Sequence, residues 1–295
     1  MNNILEIRKN VYNNLTRKNL SEQTSPIVLI YNIATEDYNK IVKATQNFLC
    51  KSLSLLYKRE FTWTENFLEN NDELILKLKN KTPNGVLNPK FETQDEFSDI
   101  QFAVNNIFTN LGIYQNIKKL TIPNIRYKSR NEPDEVKSRP YYTGKMHSDA
   151  WVGHKGDAVF IIGLLGDINN NTVEFNNPID VHDNFLHKAE SFDEGNTRYK
   201  SLEHLGTLKE KTLVVMDHAC LHRTLIKSEA KPRISLDVAV LIDSEYSHAN
   251  YEGFDEKAYN YYDRNQIESI GKSNKYCINE TIFNTTKTTI EINPR

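Results

Sequence analysis

Three cysteines, Cys50, Cys220 and Cys277, are all the chain has. The number is odd and no two are spaced as metal ligands, so neither a disulfide framework nor a zinc knuckle is expected. No apolar run is long enough to span a bilayer; the longest, Ala158 to Leu165, falls far short. No charge of one sign dominates. The net charge of −2 argues against a nucleic-acid partner, which would call for a clear basic excess. The opening residues, MNNILEIRKN, lack the apolar centre of a secretion signal, so the expected location is the reducing cytoplasm. There is no internal repeat and no Gly/Ser- or Pro-rich linker. What remains is a chain of 295 residues with a globular, somewhat polar composition, read as a single overall domain with elaborations at both ends.

Apolar residues recur at helical spacing through the first 120 residues. Ile4, Ile7, Val11 and Leu15 form one such set, and Thr35 to Leu56 carries another. A short strand is expected over Pro26–Tyr31. Thr93 and Glu96 resemble a capping box ahead of the stripe Phe97, Ile100, Val104, Ile107, Phe108 and Leu111, with Gly112 as terminator. From about Thr121 the period shortens. Ile122–Tyr127, Tyr141–Asp149, Ala158–Leu165, Thr212–Met216 and Leu221–Ile226 look extended, and Ile234, Leu236, Val238, Val240 and Ile242 alternate as one face of a strand. Such runs of strands predict a β-sandwich or barrel. The polar stretch from Asp167 to Gly206 reads as a long insertion and a candidate lid, and residues 246–295 as a helical lid or tail.

Within the extended half lies His147-Ser148-Asp149. Residues two apart on a strand share a face, so His147 and Asp149 can offer an imidazole and a carboxylate to one ion. His222 closes a strand signal and can supply a third ligand. Two imidazoles and a carboxylate suit Fe(II) with open positions for oxygen and a co-substrate. Zinc can use the same set in a tetrahedral site. His218, four residues before His222, is a competing ligand or a neighbour of the site. Arg233 and Ser235 share the face opposite Ile234. A guanidinium aimed into a barrel is costly unless it meets an anion, and a fork beside a hydroxyl is a good carboxylate receptor. Each element taken singly has a bland reading: a lone His-x-Asp arises by chance, and a lone buried histidine is commonly a core residue. The ordered set is what points to chemistry.

His147-Ser148-Asp149, His222-Arg223-Thr224 and Arg233-Ile234-Ser235 resemble the Fe(II)- and 2-oxoglutarate-dependent dioxygenase superfamily, over roughly residues 121 to 243. The resemblance implies a mainly β fold with α: a double-stranded β-helix, the jelly-roll or cupin-like barrel, as catalytic core over 121–245, with a mainly helical elaboration over 1–120 packed on it and an extension over 246–295. It implies His147, Asp149 and His222 as metal ligands and Arg233 with Ser235 as the 2-oxoglutarate carboxylate site. Tyr127 or Arg126, from an early barrel strand, is a further candidate contact with 2-oxoglutarate. The implied cofactors are Fe(II), 2-oxoglutarate and O2. The implied reaction oxidises a C–H bond of a small molecule, with release of succinate and CO2. Trp151, Arg139 and Lys145 are candidate substrate contacts, and two or more basic residues facing the metal would signal an anionic substrate. The competing readings are a cupin-like non-redox metalloenzyme, an isomerase or hydrolase, and a ligand-binding barrel without turnover.

Overall fold

The computed structural model describes residues 12, 15, 28–153, 156–245, 247, 260–269, 276–278 and 290–292. Most of the expected first helix, the start of the strand over Pro26–Tyr31 and most of 246–295 lie outside the described residues.

Two antiparallel sheets face each other. The larger runs β1 (Val28–Asn32), β8 (Thr212–Asp217), β5 (Ala158–Gly166), β10 (Arg233–Ile242), β3 (Ile117–Leu120) and β11 (Tyr262–Asp263), and β10 also pairs β4 (Asn124–Lys128), which in turn pairs β2 (Val86–Leu87). The smaller sheet is β7 (Ser201–Thr207), β6 (Asn171–Ile179) and β9 (Leu221–Ile226). Among the described residues no ladder joins the two sheets, so the arrangement is an open sandwich and not the closed barrel expected from the sequence. The stretch Asp167–Gly206 is not a loop insertion either: it contains β6 and most of β7, two of the three strands of the smaller sheet. Its polarity has a structural reason. Only one face of β6 is apolar inward, through Val173 and Phe175, while Glu174 on the other face meets Arg223.

Helices α1 (Thr35–Tyr57) and α2 (Gln94–Asn110) cover the outer face of the larger sheet. Phe97, Ile100, Val104, Ile107 and Phe108 are buried there, and Phe108 meets Phe160 of β5 edge-on at 4.7 Å. Gly112, at φ +71, ends α2 in the left-handed region that glycine tolerates best. Thr93 does not cap α2. Its hydroxyl accepts the Lys90 N–H at 2.8 Å and closes the preceding 3-10 turn instead. The first 120 residues also place β1, β2 and β3 in the larger sheet.

Strand periodicity then sorts the side chains. In β5 and β8 both faces are buried, which explains the apolar runs Ala158–Leu165 and Leu213–Met216. Ala158, Phe160, Ile162, Leu213 and Val215 face the helices; Val159, Ile161, Val214 and Met216 face the smaller sheet. In β10, Ile234, Leu236, Val238 and Val240 face the helices, which leaves Arg233, Ser235, Asp237 and Ala239 on the inter-sheet side. No helix among the described residues is long and apolar enough to cross a membrane.

Candidate metal centre

A cavity of about 410 Å³ opens between the sheets. One wall is the inner face of β9 and the segment bonded to it. His222 pairs with Phe175 and Thr224 with Val173, so both point inward while Arg223 points out. The His147 N–H donates to the His222 carbonyl at 3.0 Å and the His222 N–H to the His147 carbonyl at 2.9 Å. Of the strand expected over Tyr141–Asp149, this bridge and a bond from the Thr224 N–H to the Thr143 carbonyl at 2.8 Å remain: His147 is held to the sheet, and Asp149 opens a 3-10 turn, Asp149–Val152. Ser148 fixes the geometry. Its hydroxyl donates to the His218 carbonyl and accepts the Ala150 N–H, tying the segment to the turn that precedes His222.

His147, Asp149 and His222 each offer a ligand atom, and these atoms lie within 4.8 Å of one another. The two imidazole centroids are 4.2 Å apart, and His222 Nε2 is 3.7 Å from Asp149 Oδ1. His147 Nδ1 is 2.8 Å from the Lys145 carbonyl and His222 Nδ1 is 3.3 Å from that of Cys220. A carbonyl only accepts, so each Nδ1 carries the proton and each Nε2 lone pair is left for an ion. Burial, aided by the nearby His222, pushes the His147 imidazole down to about 3, so it is neutral and able to ligate at physiological pH. Phe192 stacks on the His147 ring at 4.2 Å and limits its rotation.

Arg233 and Ser235 lie on the facing sheet and line the same cavity. Arg233 is wholly buried, and none of its three guanidinium nitrogens has a hydrogen-bond partner. Burial, reinforced by the charge of Arg126, pushes the guanidinium down to about 9. An arginine held this way wants an anion. Its strand neighbour Lys128 does not compete for one. Lys128 Nζ is bonded to Glu132 at 2.7 Å and to Thr143 Oγ1 at 3.0 Å. An ammonium only donates, so the Thr143 hydroxyl hydrogen is turned away from Lys128, and Thr143 lines the cavity with Thr224.

Four sequence candidates lie away from the cavity wall. Tyr127 is on the helix side of β4, because its partner in β10 is Ile234; its hydroxyl donates to Asp72 at 2.6 Å. The expectation that Tyr127 contacts 2-oxoglutarate is corrected accordingly. Arg126, paired with Ser235, takes the inward position. Trp151 is wholly buried among Val181, Phe185, Ala189 and Phe192, and its indole N–H donates to the Phe185 carbonyl at 2.7 Å, so it packs the segment above the site and does not line a substrate pocket. Arg139 donates to Asn84 Oδ1 and Lys145 pairs with Asp193; neither reaches the cavity. His218 does line it, outside the three-residue ligand group. Thr143, Asn124 and Asp237 are wall residues that the sequence reading misses. The signal for the β4 side of that wall is the alternation Asn124, Arg126, Lys128 against Ile125 and Tyr127.

No protein-family profile and no curated protein matches the chain. Several solved structures do. An N-substituted L-amino acid dioxygenase from Burkholderia ambifaria AMMD is 10 % identical, with 82 % of this chain and 89 % of that one covered and a TM-score of 0.39. The non-heme alpha-ketoglutarate-dependent carbocyclase SnoK from nogalamycin biosynthesis is 9 % identical, covering 81 % and 84 %, with a TM-score of 0.37. AviO1 from Streptomyces viridochromogenes Tue57 is 10 % identical, covering 74 % and 90 %, with a TM-score of 0.39. At these scores the likeness carries no weight of its own, and the reading of the site rests on the chain's own residues.

Proposed function

We propose that the chain is an Fe(II)- and 2-oxoglutarate-dependent oxygenase acting on a small molecule, built on an open form of the double-stranded β-helix. One observation carries the reading: a wholly buried arginine with all three nitrogens unpartnered faces a His/Asp/His group across a single cavity. Either feature alone has an ordinary explanation. Together they match a ligand that is a metal chelator at one end and a carboxylate at the other.

His147, Asp149 and His222 would hold the iron through two neutral imidazoles and one carboxylate, a set suited to Fe(II) with open positions. Arg233 and Ser235 would hold the distal carboxylate of 2-oxoglutarate by charge-assisted hydrogen bonds, with Thr143 as a further donor. When bound, iron with 2-oxoglutarate and O2 supplies the oxidising power for a C–H bond, and succinate and CO2 are released. The protein's part is orientation and exclusion of water. Phe192 and Ser148 fix the ligands, while Val159, Ile161, Val173 and Met216 make the apolar lining. The cavity volume falls in the range of small-molecule sites, about 300–1,000 Å³. Cys50 and Cys220 are free thiols, which suits the cytoplasmic location we assign.

The test is succinate formation by protein loaded anaerobically with Fe(II) and 2-oxoglutarate and then exposed to O2. Succinate that depends on His147 supports the reading. Metal binding without 2-oxoglutarate consumption would favour a non-redox metalloenzyme.

A further inference from the structure

The cavity holds two arginines in opposite states. Arg233 has three unpartnered nitrogens; all three of Arg126 are engaged. Its Nε and one terminal nitrogen meet Asp237 Oδ2 at 3.0 and 2.8 Å, and the other terminal nitrogen donates to the Asn84 carbonyl at 3.3 Å. The second Asp237 oxygen accepts from Asn124 Nδ2 at 2.9 Å. Asp237 lies four residues along β10 from Arg233, about 13 Å at the rise of an extended strand, and Arg126 stands between them opposite Ser235, so the pair adjoins the anion site and continues the cavity wall beyond it.

The charged side chains lining the cavity, among the described residues, are Arg126, Asp149, Arg233 and Asp237. A divalent ion on Asp149 and a dianionic oxoacid on Arg233 cancel one another, and Arg126 cancels Asp237. The site is then balanced before any substrate enters. A charged substrate would leave a buried charge without a partner, which is expensive. The basic residues that would have suited an anionic substrate, Arg139 and Lys145, are bonded elsewhere. What the wall beside Arg126 and Asp237 offers is neutral: the side chains of Asn88, Asn124 and Thr121.

We propose that the substrate is a small uncharged molecule bearing hydroxyl or carboxamide groups, recognised by the Arg126–Asp237 pair together with Asn88 and Asn124. This rests on the oxygenase reading above, and the experiment separates the two. Fe(II)-loaded protein is first titrated anaerobically with 2-oxoglutarate; failure to bind it would sink the oxygenase reading itself. The ternary complex is then titrated with glucose, glucuronate and glucosamine, sugars that differ in charge. Glucose should bind about tenfold or more tighter than either charged sugar, a modest share of the cost of an unpaired buried charge. Asp237→Asn frees Arg126 and should move the preference to glucuronate. Arg126→Met frees Asp237 and should move it to glucosamine, so the two variants test one claim with opposite signs. A charged sugar binding the unaltered protein as tightly as glucose, an unchanged order in a folded variant, or no binding by any of the three overturns the inference.

Discussion

Replacing Arg233 by methionine should weaken 2-oxoglutarate binding and strengthen the ligand-free protein. The two effects have one cause. Without a bound anion the guanidinium is wholly buried with no partner for any nitrogen, so its charge is a cost. Exchange of such a buried ion for an apolar side chain of similar length is commonly neutral or stabilising by about 1–4 kcal/mol. With the co-substrate present the sign reverses. Two charge-assisted hydrogen bonds at about 1.5 kcal/mol or more each amount to about 3 kcal/mol, roughly a hundredfold in affinity. The advantage of Arg233→Met in the ligand-free protein should also depend on pH. The folded value, about 9, lies below the ordinary 12.5, so the burden of the charge is complete below pH 9 and fades as pH rises toward the unfolded value. Calorimetric titration with 2-oxoglutarate and thermal melts across pH, with and without it, measure all three effects. Unchanged 2-oxoglutarate affinity, with Fe(II) affinity intact, would refute the assignment of Arg233; a less stable ligand-free variant would refute the argument from the unpaired charge.

Three further outcomes follow from named contacts. Thr143→Val should raise the KM for 2-oxoglutarate by about five- to tenfold, the worth of one hydrogen bond, and Thr143→Ser should restore it; steady-state succinate assays decide. Tyr127→Phe should leave that KM unchanged while lowering stability by about 1–3 kcal/mol through the lost bond to Asp72, as read by denaturant melts. Gly195→Ala should destabilise by about 1–3 kcal/mol, because a Cβ there would sit 2.3 Å from Trp151 Cε3, and it should loosen Phe192 over His147 enough to lower Fe(II) affinity.

The features legible in the sequence are those fixed by a single element's own periodicity. The stripe of α2 and the strict alternation of β10 each specify an inner face without reference to a partner, so the amino-acid pattern alone sets Arg233 and Ser235 opposite Ile234. Features that depend on pairing between elements are harder to read. Whether Arg126 or Tyr127 faces the cavity is decided by the register that opposes Ser235 to Arg126 and Ile234 to Tyr127, and a slip of one residue would exchange them. Polar β6 reads as loop because its outward face and its edge partner β7 carry charge, and only the pairing with β9 shows it to be the wall behind His222. Trp151 sits on a different element from the one its sequence suggests: the strand signal ends at His147, and Ser148 leads the chain into a 3-10 turn that buries the indole.

The most direct test of the central claim is an anaerobic crystal structure of the protein with Fe(II) and 2-oxoglutarate. The account predicts one ion bound by His147, Asp149 and His222, chelated by the oxoacid, whose far carboxylate meets Arg233 and Ser235. An ion elsewhere, or a far carboxylate that leaves Arg233 without a partner, would contradict it.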